Sequence, residues 1–385
     1  MATKRTPSPQ RHTQLLEEES FSWYNSGRFY PVHLGEVFES RYQVLGKLGY
    51  GSVSTVWLCR DLKEREYVTL KIYISEHRQA RNELNVFTHI RAIKTSHPGL
   101  KLIRTLRDAF ELPGKLGAHQ CLTHKPLGLT LSDLRKQCGG KLPGELLKPV
   151  INYLLLALDF LHTEARVVHT DIQESNIMMT ITDDSILKKF EYEERDEPST
   201  CKVDGDRVIY ASRALDIPDE PGYPVLCDFS NAQFGEEYYI GEVMPDLYRA
   251  PEIVLGIPWN EKIDIWSIGL MLVWDLFEGK RMFNQRLPNR DLSSAAHLAR
   301  MITLLGPPPM DLLQRGKVSE DFFDKDGRFV ADIVIPATSL ESEEENLEGE
   351  EKALFLQFLR SILQWEPRDR KSAKELIEDP WLQIQ

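Results

Sequence analysis

The sequence predicts an α+β chain folded as two lobes, the first built mainly from strands and the second mainly from helices. Three observations carry this. From Arg41 to Tyr73 apolar and polar residues alternate between glycines, with Val, Thr, Tyr and Trp enriched, as in twisted antiparallel strands. From Val150 onward apolar residues recur at helical spacing instead. The chain's 385 residues also exceed what one hydrophobic core usually fills.

Residues 1–20 are polar, with a basic pair at Lys4 and Arg5 and an acidic cluster from Glu17 to Glu19, and they lack the apolar stretch of a signal peptide. They are expected to be disordered. Thr6-Pro7 and Ser8-Pro9 have the form of proline-directed phosphorylation sites. Residues 21–41 form an extension, 42–126 the first lobe with its connecting hinge, and 127–383 the second lobe. Leu84, Phe87 and Ile90, spaced by three, place one helix over His77 to Ile90. Val150, Ile151, Leu154, Leu155, Leu158 and Leu161 predict a long core-facing helix. Two stretches interrupt the second lobe. About 180–224 is charged and turn-rich and reads as a surface insertion, partly ordered by Val208 to Tyr210. About 338–352, with its acidic run from Glu341 to Glu351, reads as a solvated loop without a catalytic role.

Composition narrows the function. No apolar run approaches the roughly 20 residues of a membrane span, and a formal net charge of -12 repels phosphate backbones. Neither a membrane nor a nucleic acid is an expected partner; a protein substrate, basic or arginine-rich, fits the charge better. The expected location is the cytosol or nucleus, and the sequence indicates no oligomeric state. Cys59, Cys121, Cys138, Cys201 and Cys227 are scattered without a C-x-x-C pair, against both a disulfide framework and a structural zinc site.

The chemistry-bearing motifs follow in order. Leu48-Gly-Tyr-Gly-Ser-Val-Ser-Thr-Val56 sets Gly49 and Gly51 in a turn between strands, where missing side chains let backbone N–H groups approach phosphate oxygens. Ser54 stands where the third glycine of G-x-G-x-x-G belongs. Lys71, ending the strand Val68-Thr-Leu-Lys, needs a counter-charge; Glu83 on the next helix is the first candidate, with Phe87 behind it, and Glu76 the second. After the long helix comes His169-Thr-Asp-Ile-Gln-Glu-Ser-Asn176, and after a further apolar strand Asp228-Phe229-Ser230. Ala250-Pro-Glu252 and Asp264-Ile-Trp-Ser-Ile-Gly269 complete the series. Glu252 is expected against Arg370, and Asp264 against the backbone of the His169–Asn176 loop.

These motifs resemble those of the eukaryotic protein kinases, and the chain looks most like the serine/arginine-protein kinases and their fungal relatives. That likeness includes Tyr24 to Gly35, Gly49 to Arg60, Thr170, Ser319 to Gly327 and Pro380-Trp-Leu. The resemblance implies a bilobal kinase fold, ATP and Mg2+ as cofactors, and phosphoryl transfer to Ser or Thr. It implies that Leu48, Gly49, Gly51 and Val56 cover the nucleotide, that Lys71, paired with Glu83, holds its phosphates, and that Lys125 to Leu127 read adenine beyond a gatekeeper His124. Asp171 would orient the acceptor hydroxyl, with Asn176 and Asp228 as metal ligands.

Departures matter too. Gln173 replaces a lysine that touches the γ-phosphate, and Pro245 a threonine bonded to that lysine. A nucleotide-binding scaffold without transfer is therefore the second reading. A small-molecule phosphotransferase is disfavoured by Ala250–Glu252 and Asp264–Gly269. Between Asn231 and Glu252 there is no Ser or Thr to carry an activating phosphate, so activity is expected to be constitutive, with Tyr238 and Tyr239 as the exceptions. Lys280, Arg281, Arg286 and Arg290 make basic a stretch that is acidic in those relatives, against simple inheritance of arginine/serine specificity.

Overall fold

The computed structural model describes residues 15–218, 220, 222–283 and 293–383. Thr6, Ser8, Arg286 and Arg290 lie outside these residues. The chain divides into two compact units. One comprises Met1–Thr88, Arg104–Leu129 and Met178–Gly222; the other comprises His89–Ile103, Thr130–Ile177 and Tyr223–Gln385.

In the first unit, β1 (Val37–Phe38), β2 (Tyr42–Gly51), β3 (Ser54–Asp61), β4 (Glu66–Tyr73), β5 (Asp108–Gly114) and β6 (Gly117–His124) form one antiparallel sheet in the order β1-β2-β3-β4-β6-β5. Strict alternation along β3 and β4 gives the sheet two apolar faces. On one, Val44, Trp57, Cys59, Val68 and Leu70 pack with Cys201 and Tyr210. On the other, Leu58 and Tyr67 pack with Ile186, Leu187 and Phe190. The helix α1 spans Arg78–Ala92.

The partners Cys201, Tyr210, Ile186, Leu187 and Phe190 correct the sequence reading. The stretch about 180–224, assigned to the second lobe as a surface insertion, belongs from Met178 to Gly222 with the first unit. It contains a helix, Ser185–Asp196, and an antiparallel hairpin, Cys201–Asp204 with Arg207–Tyr210. The helix is amphipathic, with Ile186, Leu187, Phe190 and Glu194 on its buried side. Nor is residues 1–20 wholly without order: Glu17–Ser20 forms a 3-10 turn in which Glu18 is buried.

In the second unit the long helix α2 (Gly144–Asp159) buries Val150, Ile151, Leu154, Leu155 and Leu158, then widens into a π-helical turn, Phe160–Ala165. The helix α3 (Lys262–Ile268) likewise continues as π turns over Gly269–Asp275, all buried. A Cβ at Gly269 would lie 2.5 Å from Ile362, so only glycine lets this segment approach α4 (Gly349–Ile362). The acidic run is exposed at Glu341, Glu345, Glu348 and Glu350, as expected of a solvated stretch, but part of it folds back on the unit. Glu344 is buried against Lys352 at 3.1 Å, Glu343 pairs with Arg300, and Glu341 with Arg360. None of the five cysteines, all described residues, forms a disulfide, and four are buried.

Candidate active site

The first unit assembles the glycine turn and the lysine. Register places Gly49 opposite Val56, and Val56 opposite Lys71, so these three share one sheet face. A Cβ at Gly49 would meet nothing within 4 Å, and at Gly51 only Ser54 Oγ at 3.7 Å. The protein itself does not require glycine there; the space above the turn is open to an approaching ligand. Leu48 is partly buried against the cluster around Leu58 and Phe190. Beyond β6, Lys125 is exposed, whereas Pro126 and Leu127 are buried. His124 is buried, its Nδ1 2.9 Å from the Thr105 carbonyl oxygen and its ring 5.3 Å from Phe87.

Lys71 Nζ donates to Glu83 Oε2 at 2.9 Å, and Glu83 is 1% exposed. The same oxygen accepts from Tyr73 Oη at 2.5 Å, and Lys71 Nζ lies 4.7 Å from the Tyr73 ring. Tyr73 was missed in the sequence, although Lys71-x-Tyr73 puts both side chains on one strand face. Glu76 does other work, accepting from Ala118 N at 3.0 Å.

The second unit assembles the loop His169–Asn176. Asp264 accepts from His169 N at 2.8 Å through one oxygen and from Thr170 N at 2.9 Å through the other, as expected for it. His162 Nε2 adds a third contact at 3.0 Å. His169 Nε2 lies 3.0 Å from the Cys227 carbonyl oxygen, which ties the loop to the strand leading into Asp228. Thr170 is held at φ 69, and its hydroxyl donates to Asn231 O at 3.0 Å.

Side-chain amides hold Asp171. Gln173 Nε2 donates to its Oδ1 at 2.8 Å, and Asn176 Nδ2 to its Oδ2 at 3.2 Å and to its backbone oxygen at 2.9 Å. Burial pushes the Asp171 carboxyl up and the Asp228 charge pushes the same way, outweighing His169 and the hydrogen bonds from Asn176 and Asn231. Because its nitrogen is turned to Asp171, the amide oxygen of Asn176 is the atom that would serve a metal. Asp228 sits at φ 63 and accepts from Ser230 N at 3.3 Å. One carboxylate and one amide oxygen are hard donors of the kind Mg2+ takes alongside substrate phosphates, so the donor set suits that ion.

Gln173 and Pro245 line one cavity of about 360 Å³ with Arg135, Glu174, Asp246 and Arg281. Arg135 Nε is bonded to Glu174 at 2.7 Å. The expected brace is present: Arg370 donates to both oxygens of Glu252, at 2.7 and 2.6 Å, with both side chains fully buried.

A family model described as the protein kinase domain matches residues 42–194 and 217–382. A serine/threonine protein kinase of Aspergillus fumigatus is 45% identical over 374 residues, covering 95% of this chain and 91% of its own. The serine/threonine-protein kinase SRPK of Physarum polycephalum is 29% identical over 405 residues, with the same two coverages, 95% and 91%. SRSF protein kinase 3 of Mus musculus is 23% identical over 533 residues, covering 99% of this chain and 94% of its own. A crystal structure of a kinase domain matches the fold with a TM-score of 0.71 at 21% identity, over 92% of this chain and 99% of the other.

Proposed function

This chain belongs to the protein kinase family, and from that premise we propose that it is an active serine/threonine kinase whose transfer step runs without the usual lysine cation. The observation that carries this is Asp171. Its carboxylate is oriented by hydrogen bonds from the Gln173 and Asn176 amides, as suits a group that takes the proton of an acceptor hydroxyl. The acceptor hydroxyl oxygen bonds to the γ-phosphorus of ATP as the bond to the bridging oxygen breaks. Its proton passes to Asp171, and ADP leaves.

Lys71, held by Glu83, would take the α- and β-phosphates, and the backbone around Gly49 and Gly51 would cover them. Leu48, Val56 and the stretch Lys125 to Leu127 would line the purine. Asn176 and Asp228 would hold the divalent ion, which when bound neutralises charge on the phosphates.

Constitutive activity is supported by Thr170, whose hydroxyl already ties the catalytic loop to Asn231. No phosphate is needed for that tie. A basic acceptor peptide is supported by Glu236, Glu237, Glu242 and Asp246, all exposed in the segment before Glu252. The names of the slime-mould and mouse relatives make arginine/serine peptides the first to try.

The test uses phosphatase-treated protein with labelled ATP, Mg2+ and such peptides, beside Asp171→Ala. The parent should label Ser or Thr, and the variant should fall by about 10²- to 10⁴-fold. The absence of a lysine at Gln173 favours the alternative of a silent, nucleotide-binding scaffold. No label from either protein, while ATP raises the Tm of both, would establish that alternative instead.

A further inference from the structure

We propose that Glu18 and Lys47 are positioning residues for the glycine turn, so that the N-terminal segment and the 178–222 insertion together set the affinity for ATP. The proposal rests on the reading that this turn covers phosphates. It starts from an irregularity in β2. The β2–β3 ladder slips register between Val44 and Gly46 and again between Lys47 and Gly49, so two bulges flank Lys47 just before the turn. Backbone pairing alone leaves that register weakly specified.

Side chains from elsewhere supply the missing constraint. Lys47 is opposite Trp57, on the face away from Val56 and Lys71. Its side chain is 0% exposed, and Nζ lies 2.6 Å from Glu18 Oε2, 3.3 Å from Glu17 Oε2 and 3.0 Å from the Tyr210 carbonyl oxygen. Glu18 is fully buried too, and its other oxygen takes Arg207 of the insertion hairpin. Burial alone would raise the Glu18 carboxyl, but Lys47 and Arg207 more than reverse this and hold it low. Glu17 accepts from Ser212 N at 3.1 Å and Ser212 Oγ at 2.7 Å, and Glu19 from Lys202 at 2.8 Å. The Lys47 carbonyl oxygen accepts from Arg213 N at 2.9 Å. One residue earlier, a Cβ at Gly46 would lie 2.7 Å from Phe190 of the insertion helix, so that contact needs glycine.

Two segments remote in sequence thus grip β2 at the place where its own ladder is loose. A buried ammonium that loses the nearer and more buried of its two carboxylates is destabilised. Removing Glu18 therefore favours movement of Lys47 toward water, and the adjacent bulges let the turn move with it. The backbone N–H groups of the turn then lose their preset direction, which weakens nucleotide binding and leaves Asp171 chemistry untouched.

The experiment compares the full chain with Glu18→Gln, Lys47→Met and the double variant, measuring ATP affinity, steady-state kinetics and amide hydrogen exchange without nucleotide. We expect Glu18→Gln to raise KM for ATP about tenfold, within the usual range of coupling between sites, with kcat changed by less than about twofold. Amides from Gly49 to Val53 should exchange faster while β5 and β6 keep their protection. The double variant should lose less than the product of the singles. If Glu18→Gln folds poorly, Glu17→Gln, which removes the longer contact, should give the same pattern more weakly. Unchanged KM and exchange would overturn the proposal, as would faster exchange spread evenly over the whole sheet. A parent that binds no ATP would instead refute the nucleotide reading, and the exchange data would still decide the role of Glu18.

Discussion

Glu83 in the first unit accepts hydrogen bonds from a lysine and a tyrosine, whereas Asp171 in the second accepts them from side-chain amides. The contrast extends to their neighbours. In the first unit Glu18 meets Lys47 and Arg207, and Asp61 meets Arg41 at 2.9 and 2.7 Å; in both, cations and hydrogen bonds overcome the effect of burial, and the carboxyl is held low. Near the His169–Asn176 loop, buried Asp275 accepts from the Met282 N–H at 2.8 Å and the Tyr248 hydroxyl at 3.1 Å, and burial, outweighing these bonds and the Arg281 charge, pushes it up to about 7. Glu252, paired with Arg370, shows that the second unit also uses cations where it braces structure. A carboxylate locked to a cation fixes geometry. One held by amides or hydroxyls keeps its capacity to take a proton.

The largest effect expected from this contrast is on Lys71. Replacing it with Met takes the Lys71 charge away from buried Glu83 and, on the function proposed above, from the nucleotide phosphates. Transfer should fall by about 10²- to 10³-fold, as when one transition-state donor is lost, measured by labelled-peptide turnover. A small loss would mean that the first unit's ion pair is only structural.

Asp275 gives the next effect, on stability. Its carboxyl ionises near its ordinary value when unfolded and at about 7 when folded. Between those values unfolding releases a proton, so stability falls as pH rises from about 4 to 7, and the penalty is complete above that range. Asp275→Asn removes this slope. The variant should gain on the order of 3 kcal/mol over the parent at pH 8, and little or nothing near pH 4, by denaturant titration. Equal pH profiles would show that Asp275 does not titrate in this range.

Gln173→Lys sharpens the comparison directly by giving Asp171 the cation it lacks. If that cation stabilises the transferring phosphoryl group, the chemical step should be about tenfold faster in rapid-quench measurements. An unchanged rate would mean that the amide, 2.8 Å from Asp171, already suffices. Tyr73→Phe should have the smallest effect. Glu83 keeps Lys71 but loses a hydroxyl donor, so turnover should drop only a few-fold, corresponding to about 1 kcal/mol; a loss as large as that of Lys71→Met would make Tyr73 a principal anchor.

What was legible in the sequence was local. Lys71 with Glu83, Asp171 with Asn176, and Asp228 sit at short spacings that read directly as motifs, and Asp264 and Glu252 found the partners expected of them. What was not legible depends on distant partners. Glu18 lies 29 residues from Lys47 and 189 from Arg207, so each looks like a solvated charge when read along the chain. The same holds for Glu343 and Glu344, which fold back on Arg300 and Lys352. The insertion helix escaped notice because Ile186, Leu187 and Phe190 are its few apolar residues among many charges, and their shared face becomes evident only against Leu58 and Tyr67.

Constitutive transfer is tested most directly by a single turnover. Phosphatase-treated protein in excess over a basic serine peptide is mixed with labelled ATP and Mg2+ and quenched over time. Phosphoserine should form immediately in the parent, without an activation lag, and should not form in Asp171→Ala. Bound ATP with no phosphoserine in the parent would contradict an active, constitutive kinase.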